Sequence, residues 1–186
     1  NNYKNIPDFL RLPLNVISQH KEKSPAEISL LLKKLYYETL QKFIETQNSD
    51  MLNYFISIEI DFANISSLIH KKLTNTPLEI DQLIVGGNIQ REKFLKEDIL
   101  WKSLKKEYKT LYTPLDVEIY EKERYRTLME YISGGRTIPN GIEPIFFYFI
   151  AKDIEFENLK RLAIGKFYNI EPKVLSEWGI FPYQYV

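Results

Sequence analysis

A chain of 186 residues with 44% hydrophobic and 27% charged residues has the composition of a folded globular protein, not of a disordered one. Its 25 basic and 25 acidic residues cancel, so the sequence lacks the basic excess that a nucleic-acid backbone attracts, and no nucleic-acid partner is expected. The absence of cysteine excludes disulfides, thiolate zinc sites and cysteine nucleophiles, and with only two histidines we expect no cofactor or metal.

The first strong helix signal is a capping box, in which Ser24 stands at the N-cap and Glu27 at the N3 position. Apolar residues then recur at helical spacing and predict a helix over residues 25–46. A second cap around Ser49 predicts another helix over residues 50–73.

The segment after the second helix is predicted to be irregular. Leu83-Ile84-Val85 is the only strand-like run of the sequence, but it ends at Gly86-Gly87 and no second strand is available to pair with it. We therefore interpret this run as a connector. Helical patterns resume over residues 90–97 and 98–109.

Three further helices are predicted in the C-terminal half of the chain. The pair Thr113-Pro114 opens one that stops at Gly134-Gly135, and Glu143 lies at the start of another whose predicted C-cap is Gly165. A short helix over residues 172–178 ends the series. Helices account for the strong patterns, so the predicted fold class is all-α.

The sequence ends in an aromatic tail that is a candidate contact for a partner protein. Its members are Trp178, Phe181, Tyr183 and Tyr185. Aromatic residues are enriched in the cores of protein interfaces. The alternative is that they pack on their own domain, which is the commoner role of large aromatic side chains.

No segment of the sequence is predicted to span a membrane. The most apolar run, residues 145–151, is short and is followed at once by charged residues, whereas a membrane helix needs about twenty apolar residues. Any association with a membrane is therefore expected to be peripheral.

An internal repeat emerges when the sequence is shifted along itself by 94 residues (148 − 54 = 94). Residues 54–72 then align with residues 148–166 and share eight identities over 19 positions, where chance would give about one. We interpret this as a duplication of one helical unit. It divides the chain into residues 1–110, with a signature helix over 50–73, and residues 111–186, with a signature helix over 143–165.

Each signature helix carries a carboxylate and an amide three residues apart, Asp61 with Asn64 and Glu155 with Asn158. These groups fall on an apolar helix face, where an unpaired charge costs on the order of several kcal/mol. One interpretation is a pair of catalytic carboxylates, as in glycosidases. We favour the other, a structural role in which the side chains accept hydrogen bonds from backbone N–H groups of the glycine-rich connectors, because duplicated helices give both copies the same internal role.

The order and spacing of these motifs are specific enough to suggest a family. After the capped first helix, the landmarks are Ile-Asp-Phe-x-Asn-Ile at 60–65, Leu-Ile-Val-Gly-Gly-Asn at 83–88, Gly-Ile-Glu-Pro-Ile-Phe-Phe-Tyr-Phe-Ile-Ala-Lys at 141–152, Ile-Glu-Phe-Glu-Asn-Leu at 154–159 and Gly-Lys at 165–166. This series resembles the C subunit of the V-type and A-type rotary ATPases, the relative of the d subunit of eukaryotic V-ATPases. The landmarks cover most of the chain.

The resemblance implies a fold and a mechanical function. Family members are funnel-shaped helical proteins with three similar units around a pseudo-threefold axis, of which this chain shows two, so its N-terminal unit is expected to be missing, either removed or natively absent. Such a protein seats the central shaft of the soluble motor on the membrane rotor ring, on the cytoplasmic face of the membrane, in a complex that links ATP to proton or sodium transport.

The implied partners are therefore the central-shaft subunits and the rotor ring, and no active site is expected in the chain itself. This agrees with the residues, because the sequence lacks a phosphate-binding Gly-x-x-x-x-Gly-Lys-Ser/Thr loop. Two rival functions stay open: a free-standing helical adaptor that uses the same repeat to bind another partner, and a hydrolase that uses Asp61 and Glu155.

Overall fold

The computed structural model describes residues 8–20, 22–109, 117–134 and 140–178. Regular structure in these ranges is helical throughout, so the all-α prediction is confirmed. The helices in chain order are α1 (Asp8–Gln19), α2 (Pro25–Glu45), α3 (Asp50–Leu73), a 3-10 turn (Ile80–Gln82), α4 (Arg91–Phe94), α5 (Glu97–Tyr108), α6 (Val117–Gly134), α7 (Glu143–Phe167) and α8 (Pro172–Trp178).

Local capping sets the starts of α2 and α3 as the sequence predicts. The Ser24 hydroxyl accepts a hydrogen bond from the Glu27 backbone N–H (3.3 Å), and the Glu27 carboxylate accepts one from the Ser24 N–H (2.9 Å). The Ser49 hydroxyl caps α3 in the same way, through the N–H of Leu52 (3.2 Å). Both helices therefore begin and end within one residue of their predicted bounds.

The other helices follow the predictions less closely. The sequence predicts no helix for the α1 segment, where Pro13 falls in the interior and proline usually interrupts a helix. The helix predicted over residues 90–97 is the single turn α4, whereas α5 forms as predicted. α6 ends at Gly134, while its predicted start at Thr113-Pro114 lies outside the described residues.

The helix α3 is the centre of the described fold. Half of its residues are buried, and α2, α4 and α6 pack against it. Phe62 lies between Tyr108 of α5 and Tyr120 of α6, with ring centroids 5.7 and 5.9 Å away. Phe55 meets Phe146 of α7 edge to face, at 5.1 Å. The hydrophobic core is thus arranged around one helix.

Polar contacts attach α6 to α3. Arg124 donates two hydrogen bonds to the Glu59 carboxylate (2.7 and 2.9 Å), the bidentate geometry in which this type of ion pair is strongest. The hydroxyls of Tyr120 and Tyr131 donate to backbone carbonyl oxygens of α3, Tyr120 to one farther along the helix and Tyr131 to one near its start. The two helices therefore run antiparallel.

The helices α3 and α7 end in the same way, 94 residues apart. Asn75 and Asn169 both adopt a left-handed conformation (φ 51° and 53°) one residue after the C-cap. In both helices the N–H of the next residue then donates to the carbonyl group five residues back (2.9 and 2.8 Å), which completes a Schellman motif. The repeat therefore extends to the way in which the two helices terminate.

The prediction that Gly165 caps α7 is wrong. The helix continues to Phe167, two residues beyond the predicted end of the signature helix, and the left-handed residue is Asn169. Gly165 lies buried inside the helix, where a Cβ atom would overlap the side chain of Leu175 in α8. Its role is to let α8 approach α7.

Candidate functional site

Two polar side chains of α3 hold the connector, residues 83–89, against the helix. Asn64 binds both backbone groups of Ile84: its Oδ1 accepts from the N–H (2.8 Å) and its Nδ2 donates to the carbonyl oxygen (3.0 Å). The side-chain amide thus pairs with the backbone as a neighbouring strand would. Leu83, Ile84 and Ile89 are buried beside it, so the connector also closes the core.

Asp61, one helical turn before Asn64, holds the far end of the connector. Its carboxylate accepts hydrogen bonds from the backbone N–H groups of Asn88 (2.9 Å) and Ile89 (3.2 and 3.3 Å), and from the hydroxyl of Tyr108 in α5. The Asn88 side chain donates in turn to the Tyr108 oxygen (3.1 Å). The backbone hydrogen bonds expected of Asp61 are therefore present, and the site joins α3, the connector and α5.

The close approach of the connector requires glycine at position 87. A Cβ atom on Gly87 would overlap the carboxylate of Asp61. The preceding Gly86 has a φ of +100°, a conformation that residues with a side chain rarely adopt. The glycine pair is therefore explained by backbone geometry, as a turn that brings two N–H groups to one carboxylate.

Burial dominates the electrostatics of the site. It raises the pKa of Asp61 to about 7, while the hydrogen bonds from Tyr108, Ile89 and Asn88 act in the opposite direction and the nearby Glu107 adds to the rise. Burial and the facing carboxylate also raise the pKa of Tyr108 far above its usual range, so this residue stays a hydroxyl donor. Asp61 is inaccessible to solvent, which favours a structural role over a catalytic one.

The raised pKa of Asp61 predicts that stability falls as the pH increases from about 4 to about 7. In this window the folded protein retains a proton that the unfolded chain has released, because the carboxyl group titrates near 3.8 when it is exposed. The stabilisation that comes from the proton on Asp61 is complete below about pH 4 and is lost as the pH rises through about 7. Urea unfolding across this range should show the decline in the parent and in Asp153→Asn, and a flatter profile in Asp61→Asn. An unchanged slope in Asp61→Asn would contradict the assignment.

The second carboxylate–amide pair is arranged differently from the first. Glu155 is partly exposed and forms an ion pair with Lys152, one turn earlier on the same helix (2.6 Å). Asn158 lines an apolar groove of about 340 Å³ between α7 and α8, beside Leu162 and Leu175. The residues that correspond to the connector at the 94-residue offset, 177–183, lie largely outside the described part of the structure, so the hydrogen bonds expected of Glu155 stay a prediction.

The aromatic tail stays a prediction. Trp178 ends α8, and its side chain lies outside the described part of the structure, as do Phe181, Tyr183 and Tyr185. Among the described residues, no group of three or more acidic or histidine side chains is close enough to hold a metal ion. The described helices include none with the length and apolar character to cross a membrane.

One surface was not identified from the sequence. Six large apolar side chains of α7 are each more than half exposed and follow one another along the outer side of the helix. We call this row the α7 stripe: Ile145, Tyr148, Phe149, Phe156, Leu159 and Phe167. The sequence does contain a signal for this surface. The helix α7 is apolar on opposite faces, and a helix of this kind normally packs against neighbours on all sides.

A family model described as ATP synthase (C/AC39) subunit matches residues 3–177, nearly the whole chain. The matched range includes the Asp61 site, the connector and the α7 stripe. No curated protein and no solved structure gives a significant match.

Proposed function

The chain belongs to the ATP synthase (C/AC39) subunit family, and on this premise we propose that it is the central-rotor component that couples the soluble motor to the membrane ring. Membership makes it a subunit of a V-type or A-type ATP synthase complex, in a family of non-catalytic subunits. The proposed partners are the central-shaft subunits and the rotor ring, and the proposed location is the cytoplasmic face of the membrane. The observation that carries the proposal is the family match over residues 3–177.

The geometry of the Asp61 site is consistent with a mechanical role. A protein that transmits torque must be stiff, and its irregular segments must resist deformation as well as its helices do. Here the irregular connector is tied to the central helix by buried hydrogen bonds at both of its ends, at Asn64 and at Asp61. Buried and satisfied polar networks of this kind restrict a fold to one arrangement.

We also infer that the chain consists of two related units, residues 1–110 and residues 111–186. The repeat of eight identities at an offset of 94 residues supports the inference. So does the correspondence of α3 and α7, whose bounds agree at this offset within one residue and whose C-terminal ends use the same hydrogen bonds. Duplication explains why one pair of landmarks occurs twice in an otherwise varied sequence.

The test of the rotor proposal is binding of the full chain to purified central-shaft subunits and to the solubilised rotor ring of the same organism's rotary ATPase. We expect saturable one-to-one association with at least one of them. An exposed-surface variant on the helix α2, such as Lys42→Gln, serves as the handling control. Absence of binding to both would contradict the proposal and favour the free-standing adaptor.

A further inference from the structure

An apolar groove of about 340 Å³ lies between α7 and α8. Its walls include Leu162 of α7, Leu175 of α8 and the turn residues Ile170 and Pro172. The two helices meet closely here, because Gly165 leaves room for the Leu175 side chain. Leu162 is nevertheless 46% exposed, so the groove is an open apolar surface in the described structure.

The internal repeat indicates what closes this face in the first unit. At the 94-residue offset, Asn158 and Leu162 correspond to Asn64 and Leu68 of α3. Asn64 is buried and binds the backbone of the connector at Ile84, and Leu68, on the same face, is only 8% exposed. The face around Asn64 is therefore closed by the stretch of chain that follows its own signature helix.

The corresponding stretch of the second unit starts beside the groove. At the same offset the connector corresponds to residues 177–183, and the chain leaves α8 next to the groove because Ser176 lines it. Residues 179–186 span at most about 26 Å at ~3.3 Å per residue, whereas the groove follows α7 for about 12 Å, from Asn158 to Lys166. The segment is therefore long enough to cross the groove.

The composition of residues 179–186 suits an apolar groove. The sequence Gly-Ile-Phe-Pro-Tyr-Gln-Tyr-Val contains no charged side chain and has three aromatic rings, which gain most from burial. A tail that stays in solvent is typically rich in charged and small polar residues instead. The connector of the first unit has the same apolar character, since Leu83, Ile84 and Ile89 are buried.

We propose that residues 179–186 form a second connector, which docks in the groove between α7 and α8. The segment packs aromatic or aliphatic side chains against Leu162 and Leu175, and Asn158 binds its backbone as Asn64 binds that of the first connector. The tail is then part of the fold of the second unit and not a contact for a partner protein. The proposal rests on the inferred duplication and does not depend on the rotor function.

Other occupants fit the groove less well. A segment joined to the wall of a groove has an effective concentration on the order of millimolar, so a peptide from another molecule must compete with it. The same disadvantage applies to the tail of a second copy of the chain. An anionic lipid surface would favour uncompensated basic groups, whereas Arg161 at the groove is paired with Glu121 of α6 (2.8 Å).

The first test is hydrogen exchange of residues 179–186 in the full chain, measured by mass spectrometry against a free peptide of the same sequence. We expect exchange at least about tenfold slower than in the peptide, and Leu162→Glu should bring the rate to within about threefold of the peptide. Ile164→Glu is the matched control and should stay within about twofold of the parent. Ile164 is almost equally exposed (44%) and lies about 200° away on the same helix.

The second test is disulfide formation, which has no background because the chain contains no cysteine. Cysteine is placed at 181, 183 or 185 and combined either with Leu162→Cys or with Ala163→Cys. Ala163 is exposed and adjacent in sequence but faces about 100° away, so an undocked tail would reach both positions. We expect the fastest tail position to oxidise with position 162 at least about tenfold faster than with position 163.

The contrary outcomes are distinct. Exchange of the parent tail at the rate of the free peptide overturns the proposal. So does slow exchange that Leu162→Glu leaves unchanged together with equal oxidation at positions 162 and 163, since the tail then docks elsewhere. Disulfides that join two chains instead of forming within one overturn it in favour of a second copy. Circular dichroism checks that each variant keeps its helices, and the cysteine pairs decide the question if Leu162→Glu does not fold.

Discussion

Replacement of Asp61 by alanine is expected to lower the free energy of unfolding by about 3–5 kcal/mol. The substitution leaves the buried N–H group of Ile89 and the buried hydroxyl of Tyr108 without their acceptor, together with the partly buried N–H group of Asn88. Each unsatisfied buried donor costs about 1–3 kcal/mol. Asp61→Asn, which keeps one acceptor oxygen, should lose less, about 1–3 kcal/mol.

Urea unfolding followed by circular dichroism measures these differences. Asp153→Ala is the matched control, because Asp153 is an exposed aspartate in the middle of a helix and its loss should change stability by less than about 0.5 kcal/mol. A stability of Asp61→Ala equal to that of the control would show that the carboxylate does not hold the connector. The same measurement addresses the hydrolase alternative, since a purely catalytic carboxylate could be removed with little loss of stability.

Gly87→Ala is expected to destabilise the protein by about 2–4 kcal/mol, because the added methyl group occupies the position of the Asp61 carboxylate. Either the connector or the carboxylate must move, and the hydrogen bonds to Asn88 and Ile89 are then lost. The matched control is Gly134→Ala. A methyl group at position 134 would meet no neighbouring atom within 4 Å, and alanine at the end of α6 should be neutral or stabilising by up to about 1 kcal/mol.

A double-mutant cycle distinguishes this mechanism from a general cost of changing the turn. If the clash with Asp61 is the cause, Gly87→Ala should cost much less in an Asp61→Ala background, and the two effects should be far from additive. Additive effects would mean that the connector is strained for a different reason. Equal stability of Gly87→Ala and Gly134→Ala would contradict the close approach altogether.

The sequence predicts best those features that depend on contacts between residues close together in the chain. The starts of α2 and α3 depend on Ser24 and Ser49, which bond to residues three positions away, and the bounds of both helices are predictable almost to the residue. The family is recognisable for a related reason, since its landmarks are short motifs in a fixed order. Caps and motifs can be read from a window of a few residues.

The sequence could not predict which elements bury Asp61. The connector and α5 close over this side chain through Asn88, Ile89 and Tyr108. These contacts join residues more than 20 positions apart in the chain, which a local sequence pattern does not reveal. Gly165 shows the same limit, because its role depends on Leu175 and not on the end of its own helix.

The anchoring of the connector also has a consequence for how the molecule opens. Amides in irregular backbone usually exchange their hydrogens with solvent through small local fluctuations. The backbone N–H groups of Asn88 and Ile89 instead donate hydrogen bonds to the Asp61 carboxylate in the middle of α3. Their hydrogens can therefore exchange only when the connector separates from that helix. Connector and helix then form one cooperative unit, in which a segment without regular secondary structure exchanges as slowly as the core it covers.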